Sequence, residues 1–191
     1  MPPPIRQVLF IQGAGEGTHD QWDAQLVDSL RSELGDGFEV RYPRMPGEDD
    51  PSSSTWTPAI LAAIEALEDR AVVVGHSVGG TILLHALADY APERRLAAVI
   101  LLAAPFVGPG GWPGDDEVGS GADLGTRLPE GVPVILVHGL DDEEVPPAHL
   151  DLYARAIPGA DVHRLPGRDH QLGNDLAVVA EVIRALPSRS A

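Results

Sequence analysis

Residues 71–90 read Ala71-Val-Val-Val-Gly75-His76-Ser77-Val78-Gly79-Gly80-Thr81-Ile82-Leu83-Leu84-His85-Ala-Leu-Ala-Asp-Tyr90. Ala71–Gly75 is a short apolar, β-branched run and reads as a buried strand. Ser77–Tyr90 carries Val78, Ile82, Leu83 and Leu87 at helical spacing. Between them Gly75-His76-Ser77-Val78-Gly79 matches G-x-S-x-G, a sharp strand-to-helix turn that exposes a serine hydroxyl above the sheet. The residues two before and two after the serine must be tiny, because their neighbours crowd the turn. The Val78 N–H then lies at a helix N-terminus, aimed where an oxyanion would develop. The bland alternative is a Gly-rich turn in which Ser77 merely caps the helix.

Working outward, five more runs have the same strand character: Gln7–Gln12, Phe38–Tyr42, Ala97–Ala103, Val132–His138 and Ala160–Leu165. Several are apolar on both faces, as expected of parallel strands covered on each side. Amphipathic stretches alternate with them. His19–Leu34 sets Trp22, Leu26, Leu30 and Leu34 in one stripe, and Thr55–Glu68 carries Ile60, Leu61, Ile64 and Leu67. Pro147–Ile157 and Asn174–Leu186 supply two more. Strand alternating with helix predicts an α/β fold. The expected architecture is a three-layer sandwich: a six-stranded, mainly parallel sheet with helices on both faces.

The chain has 191 residues, 43% of them hydrophobic, which suits a single domain with a sizeable core. Its formal net charge of −16 disfavours nucleic acid and anionic membranes as partners. The absence of cysteine excludes disulfides, thiol nucleophiles and zinc–thiolate sites. The longest apolar run, Leu96–Val107, contains Pro105 and is too short to span a bilayer, which takes about 20 residues. The N-terminus lacks signal-peptide features. A cytoplasmic protein is expected.

Two stretches interrupt the rhythm. Pro43–Ser54 is a Pro/Ser/acidic loop, and Val107–Pro129 is long and Gly-rich. The second has two readings, a lid over the site or a mobile surface excursion. Trp112 within it favours the lid, since a large aromatic has little to do in a loop that covers nothing.

An active serine needs a base. Of seven histidines (19, 76, 85, 138, 149, 163 and 170), His76 sits inside the elbow with no reason to face the Ser77 hydroxyl. His85 lies two helical turns further on, His138 ends a strand and His163 lies within one. His170, in the loop Pro166-Gly-Arg-Asp-His170 after the last strand run, is where a base could reach across to Ser77. The orienting acid falls within Asp141-Asp142-Glu143-Glu144, after the preceding strand, and composition cannot choose among the four. His138 lacks a second histidine at ligand spacing, so no metal is expected. Gln12-Gly-Ala-Gly-Glu-Gly17 ends the first strand run and frees backbone N–H groups beside the elbow. As a dinucleotide loop it fails, because G-x-G-x-x-G would need glycine where Thr18 stands. No cofactor is expected, and a nucleotide-binding reading has little support.

Together these pieces resemble the α/β-hydrolase family, over about residues 6–186. Serine, acid and histidine follow in that family's chain order. His138-Gly-Leu-Asp-Asp142-Glu-Glu-Val-Pro146 is similar to its H-G-x-x-D-x-x-V-P segment, and that alignment implies Asp142 as the acid. Gly167-Arg-Asp-His170 is similar to the segment around its catalytic histidine. The resemblance implies strand order 2-1-3-4-5-6, a catalytic set of Ser77, Asp142 and His170, and oxyanion donors at the Val78 and Ala14 N–H groups. The compact core, with Trp22 and Trp56 in the first two helical regions, most resembles the small cap-less serine hydrolases of the retinoblastoma-binding type. One departure is Gln12-Gly13, where many relatives carry His-Gly.

The implied function is hydrolysis of small or accessible esters through an acyl-enzyme, on a small-molecule acyl substrate. The alternative is a partner-binding module that keeps the fold with an idle triad.

Overall fold

The computed structural model describes residues 6–114 and 118–187. Six strands form one sheet in the order β2-β1-β3-β4-β5-β6, and every pairing is parallel. They are β1 (Arg6–Ile11), β2 (Phe38–Arg41), β3 (Val72–His76), β4 (Ala98–Leu102), β5 (Val134–Gly139) and β6 (Asp161–Leu165). The order is the expected one. In the register of β3 on β1, Val8 pairs Val72 and Ile11 pairs Gly75. The helices are α1 (Asp23–Leu34), α2 (Ser53–Glu65), α3 (Ser77–Asp89), α4 (Leu124–Arg127), α5 (Ala148–Ala156) and α6 (Ala177–Ala185).

Every residue of β3, β4 and β5 is buried, which is why those runs show no polar alternation. Successive side chains go to opposite faces. Leu9, Ile11, Val73, Val99 and Leu101 pack with Trp56, Ile60, Leu83 and Tyr153 of α2, α3 and α5. Val8, Phe10, Val72, Val74 and Ile100 pack with Leu26, Leu30, Val179 and Ile183 of α1 and α6. Each fully buried aliphatic side chain contributes about 1.5–3 kcal/mol relative to exposure. Trp56 is fully buried, and its indole N–H donates to the Pro46 carbonyl at 2.7 Å. That bond fastens the 43–52 loop to α2.

One expected stripe is not as the spacing predicts. Residues Thr18–Trp22 form a π-helical turn, and Trp22 is 54% exposed while Asp23 is fully buried. An i+4 stripe presumes 3.6 residues per turn, and the wider π turn breaks that phase. The buried carboxylate takes the inward direction, and the indole is left outside.

In the 107–129 stretch, Val107 bridges to Trp112, and α4 follows with Leu124 fully buried. Residues 115–117, in the middle of the expected lid, lie outside the described residues. Trp112 meets His149 edge-on at 5.9 Å between ring centres. Among the described residues, no helix is long and apolar enough to cross a membrane.

Candidate active site

Strand order reverses between β2-β1 and β3-β4, so the chains leaving the C-terminal ends of β1 and β3 diverge and open a crevice. Ser77 opens α3 there. Its φ of 50° lies in the left-handed region, which a serine enters only when its surroundings force it. The glycines explain how the turn closes. A β-carbon on Gly75 would stand 2.5 Å from the Gly80 α-carbon, and one on Gly80 would stand 2.7 Å from the Gly75 carbonyl oxygen. On Gly79 it would meet the Gln12 carbonyl oxygen. Backbone fills all three spaces, so no side chain can give way.

The Ser77 hydroxyl lies 3.0 Å from His170 Nε2. His170 Nδ1 lies 2.8 Å from Asp142 Oδ2. The structure therefore brings Ser77, His170 and Asp142 into one hydrogen-bonded row, from three strand ends. Among the four adjacent acids, Asp142 alone is buried; Asp141, Glu143 and Glu144 are exposed. Its other oxygen accepts the N–H groups of Glu144 at 2.9 Å and Val145 at 2.8 Å. The His138 ring adds a third donor. Its Nε2–H is shared between the Val145 carbonyl at 2.9 Å and Asp142 Oδ2 at 3.1 Å. Burial works to raise the Asp142 carboxyl, but the His138 and His170 rings and the Val145 N–H outweigh it. They hold the acid well below the usual carboxylate range. Asp142 is an anion at neutral pH, suited to orient an imidazole N–H.

Val78 lies in the first turn of α3, where an N–H has no acceptor within the helix. In the loop after β1, Gly13 N–H donates to Asp23 at 2.7 Å, Gly15 N–H to the Glu48 carbonyl at 2.6 Å and Gly17 N–H to the Glu48 carboxylate at 3.0 Å. The Ala14 N–H between them has no acceptor among the described residues, and Ala14 lines the same cleft as Ser77. Gln12 turns away from that cleft. Its amide donates to Glu48 at 2.7 Å and accepts from Met45 N–H at 2.9 Å. The glutamine ties the 43–52 loop to the turn after β1 and leaves the backbone to shape that turn.

The cleft has a volume of about 590 Å³. Glu16, Asp141, Glu143, Glu144 and Asp169 border it, and none of its lining residues is Lys or Arg. A second hollow, lined by Val78, Thr81, Ile82, Pro105, Val107 and Trp112, opens beside the elbow. Its floor is pinned by the Pro105 carbonyl, which accepts from Thr81 at 2.6 Å and Tyr153 at 2.8 Å.

Sequence reasoning passed over four polar groups. Asp23 and His76 make a buried pair at the floor of the cleft. Glu48 gathers the turn after β1. His149 accepts the Phe106 N–H on Nδ1 at 2.8 Å, and burial holds its ring below the ordinary histidine value, which keeps that nitrogen an acceptor. Only spatial closeness links these groups, so spacing carried no signal of them. His85 is buried in α3, and His163 pairs with Asp161 at the surface. Among the described residues, no group of three or more His, Asp or Glu side chains could hold a metal ion.

A family model described as the alpha/beta hydrolase family matches residues 8–131. No curated protein sequence matches the chain. Among solved structures, the ydeN gene product of B. subtilis is 20% identical, with a TM-score of 0.74 over 94% of this chain and 97% of that one. An esterase, RhEst1, from Rhodococcus sp. is 17% identical, with a TM-score of 0.71 over 95% and 91%. An α/β serine hydrolase without lid from Xanthomonas campestris is 17% identical, with a TM-score of 0.66 over 100% and 88%. At these identities the structural likeness speaks for the fold, while the family model spans well over half the sequence. The chain belongs to the alpha/beta hydrolase family.

Proposed function

We propose that the protein is a serine hydrolase that cleaves small or accessible carboxylic esters through an acyl-enzyme. One observation carries this reading: the row from Ser77 Oγ to His170 Nε2 at 3.0 Å and from His170 Nδ1 to Asp142 at 2.8 Å. Family membership and the esterase among its structural relatives support it.

In the first half-reaction Ser77 Oγ attacks the acyl carbonyl carbon while His170 Nε2 takes its proton. The carbonyl oxygen becomes an oxyanion held by the Val78 and Ala14 N–H groups. Such donors are worth about 10²–10³ in turnover each. The ester C–O bond breaks, and the alcohol leaves with the proton from His170. In the second half, His170 takes a proton from water, whose oxygen attacks the acyl carbon. The acid leaves, and Ser77 recovers its proton. Asp142 accepts the His170 Nδ1–H throughout and stabilises the imidazolium that forms twice per cycle.

The carboxylates bordering the cleft disfavour anionic acyl groups, so neutral or cationic esters are the proposed class. The compact core and buried Trp56 support a place near the small serine hydrolases of the retinoblastoma-binding type. The test is hydrolysis of p-nitrophenyl acetate by the parent and by Ser77→Ala, both checked for folding. Turnover that Ser77→Ala abolishes supports the reading. Equal rates, or none with the parent on a panel of esters and thioesters, overturn it and favour a partner-binding role.

A further inference from the structure

At the floor of the cleft lies a second histidine–carboxylate pair: the His76 ring edge reaches the cleft wall, while its nitrogens and Asp23 point into the protein. Asp23 is fully buried, and His76 is 1% exposed. His76 Nδ1 lies 2.9 Å from Asp23 Oδ1 and 3.0 Å from Oδ2. His76 Nε2 lies 3.1 Å from the main-chain carbonyl oxygen of His170. Asp23 also receives the Gly13 N–H at 2.7 Å and the Gln171 side-chain N–H at 3.3 Å.

The proton count follows from these partners. A carbonyl can only accept, so His76 Nε2 carries a proton. Asp23 already accepts one N–H on each oxygen, from Gly13 and Gln171, which favours the anion, and His76 Nδ1 beside both oxygens then carries the second proton. The pair is an imidazolium facing a carboxylate, with every charge hydrogen-bonded. The electrostatics agree in direction. Burial opposes charge on both groups, yet each outweighs that cost for the other, lowering Asp23 and raising His76. As a source of stability a buried ion pair is poor, because desolvation consumes most of its attraction. Its geometry has a different use. It ties together the turn that carries Ala14, the elbow that carries Ser77 and the loop that carries His170. Those three segments lie far apart in sequence and must hold fractions of an ångström relative to one another.

We infer that His76 and Asp23 are positioning residues, a clamp that sets the Ala14 N–H and the His170 ring at their working distances from Ser77. The inference rests on the serine chemistry proposed above. Crowding at Gly13 fits it: a β-carbon there would lie 3.2 Å from both His76 Nδ1 and Ser77 Cβ. The clamp and the elbow thus press on the same point of the oxyanion turn.

The experiment compares the parent with Asp23→Ala, Asp23→Asn and His76→Asn. His163→Asn, in the exposed pair with Asp161, serves as the control. Each is melted, assayed on p-nitrophenyl acetate for kcat and KM separately, and examined by ¹⁵N-histidine NMR at about pH 7. The parent is expected to show His76 protonated on both nitrogens. Asp23→Ala and His76→Asn are expected to lose about 10²-fold in kcat with KM within about threefold, since misplacement acts on the transition state. Asp23→Asn keeps an acceptor for Gly13 and can donate to a neutral His76, whose Nε2–H still reaches the His170 carbonyl. It is expected to recover about tenfold or more of that loss. If Asp23→Ala does not fold, His76→Asn against Asp23→Asn gives the same contrast. Unchanged kcat in the folded variants overturns the clamp while leaving the serine chemistry intact. Loss in KM alone, or equal loss in Asp23→Asn and His76→Asn, overturns it too. A parent with no Ser77-dependent turnover overturns the serine chemistry, and the clamp with it.

Discussion

Gly79 sits against the Gln12 carbonyl so closely that a β-carbon would overlap the oxygen. The contact is backbone to backbone, between the helix after the elbow and the end of β1, so relaxation means moving an element. Gly79→Ala is expected to cost about 3 kcal/mol or more, at the upper end of overpacking penalties. Denaturant unfolding checks it. A loss under about 1 kcal/mol would mean that α3 shifts freely against β1.

Gln12 holds the 43–52 loop from a fully buried position. Gln12→Ala strands the Met45 N–H and removes one donor from Glu48. A buried unsatisfied group costs about 1–3 kcal/mol, which in a chain of this size lowers Tm by roughly 2–10 °C. A thermal melt with no shift would contradict that anchoring role.

Asp142 carries a stability signature with a definite sign. Its folded carboxyl titrates below the unfolded value of about 3.9, so the folded state binds fewer protons in that range. Its stabilisation is complete above the unfolded value and drains away as pH falls through it toward the folded value. Asp142→Asn lacks that contribution at every pH. Between about pH 5.5 and pH 3 the parent is therefore expected to lose more stability than Asp142→Asn. Asp23 contributes in the same direction, and the comparison cancels it. Urea midpoints at the two pH values decide; parallel losses would contradict the depressed acid.

The acid border of the cleft makes a kinetic prediction. Matched p-nitrophenyl esters with a neutral acyl tail and a carboxylate tail are expected to differ about tenfold in kcat/KM at low salt. The gap narrows as ionic strength rises, because the Debye length shrinks to about 8 Å at 0.15 M. A carboxylate ester that competes equally at low salt would show that those side chains do not sense the acyl group.

Much of this molecule is legible from its residues. The runs of β3, β4 and β5, apolar but for the histidines near the ends of β3 and β5, announce a sheet covered on both faces, and the glycines around Ser77 announce a turn with no room for side chains. The acid was not legible by composition. Four carboxylates stand side by side; the family resemblance pointed to Asp142, and in the fold burial, the N–H groups of Glu144 and Val145 and the rings of His138 and His170 separate it from its neighbours. Trp22 was misread because its stripe presumed an α-helix where the chain makes a π turn. The Asp23–His76 pair left no trace in local pattern. Its members are 53 residues apart, and the third partner is a main-chain carbonyl.

The most direct measurement is intact mass and peptide mapping after treatment with a fluorophosphonate, with Ser77→Ala beside the parent. A single adduct is expected on the parent, on the peptide carrying Ser77, and none on the variant. A folded parent that takes up no adduct, or one labelled elsewhere and equally in Ser77→Ala, would contradict it.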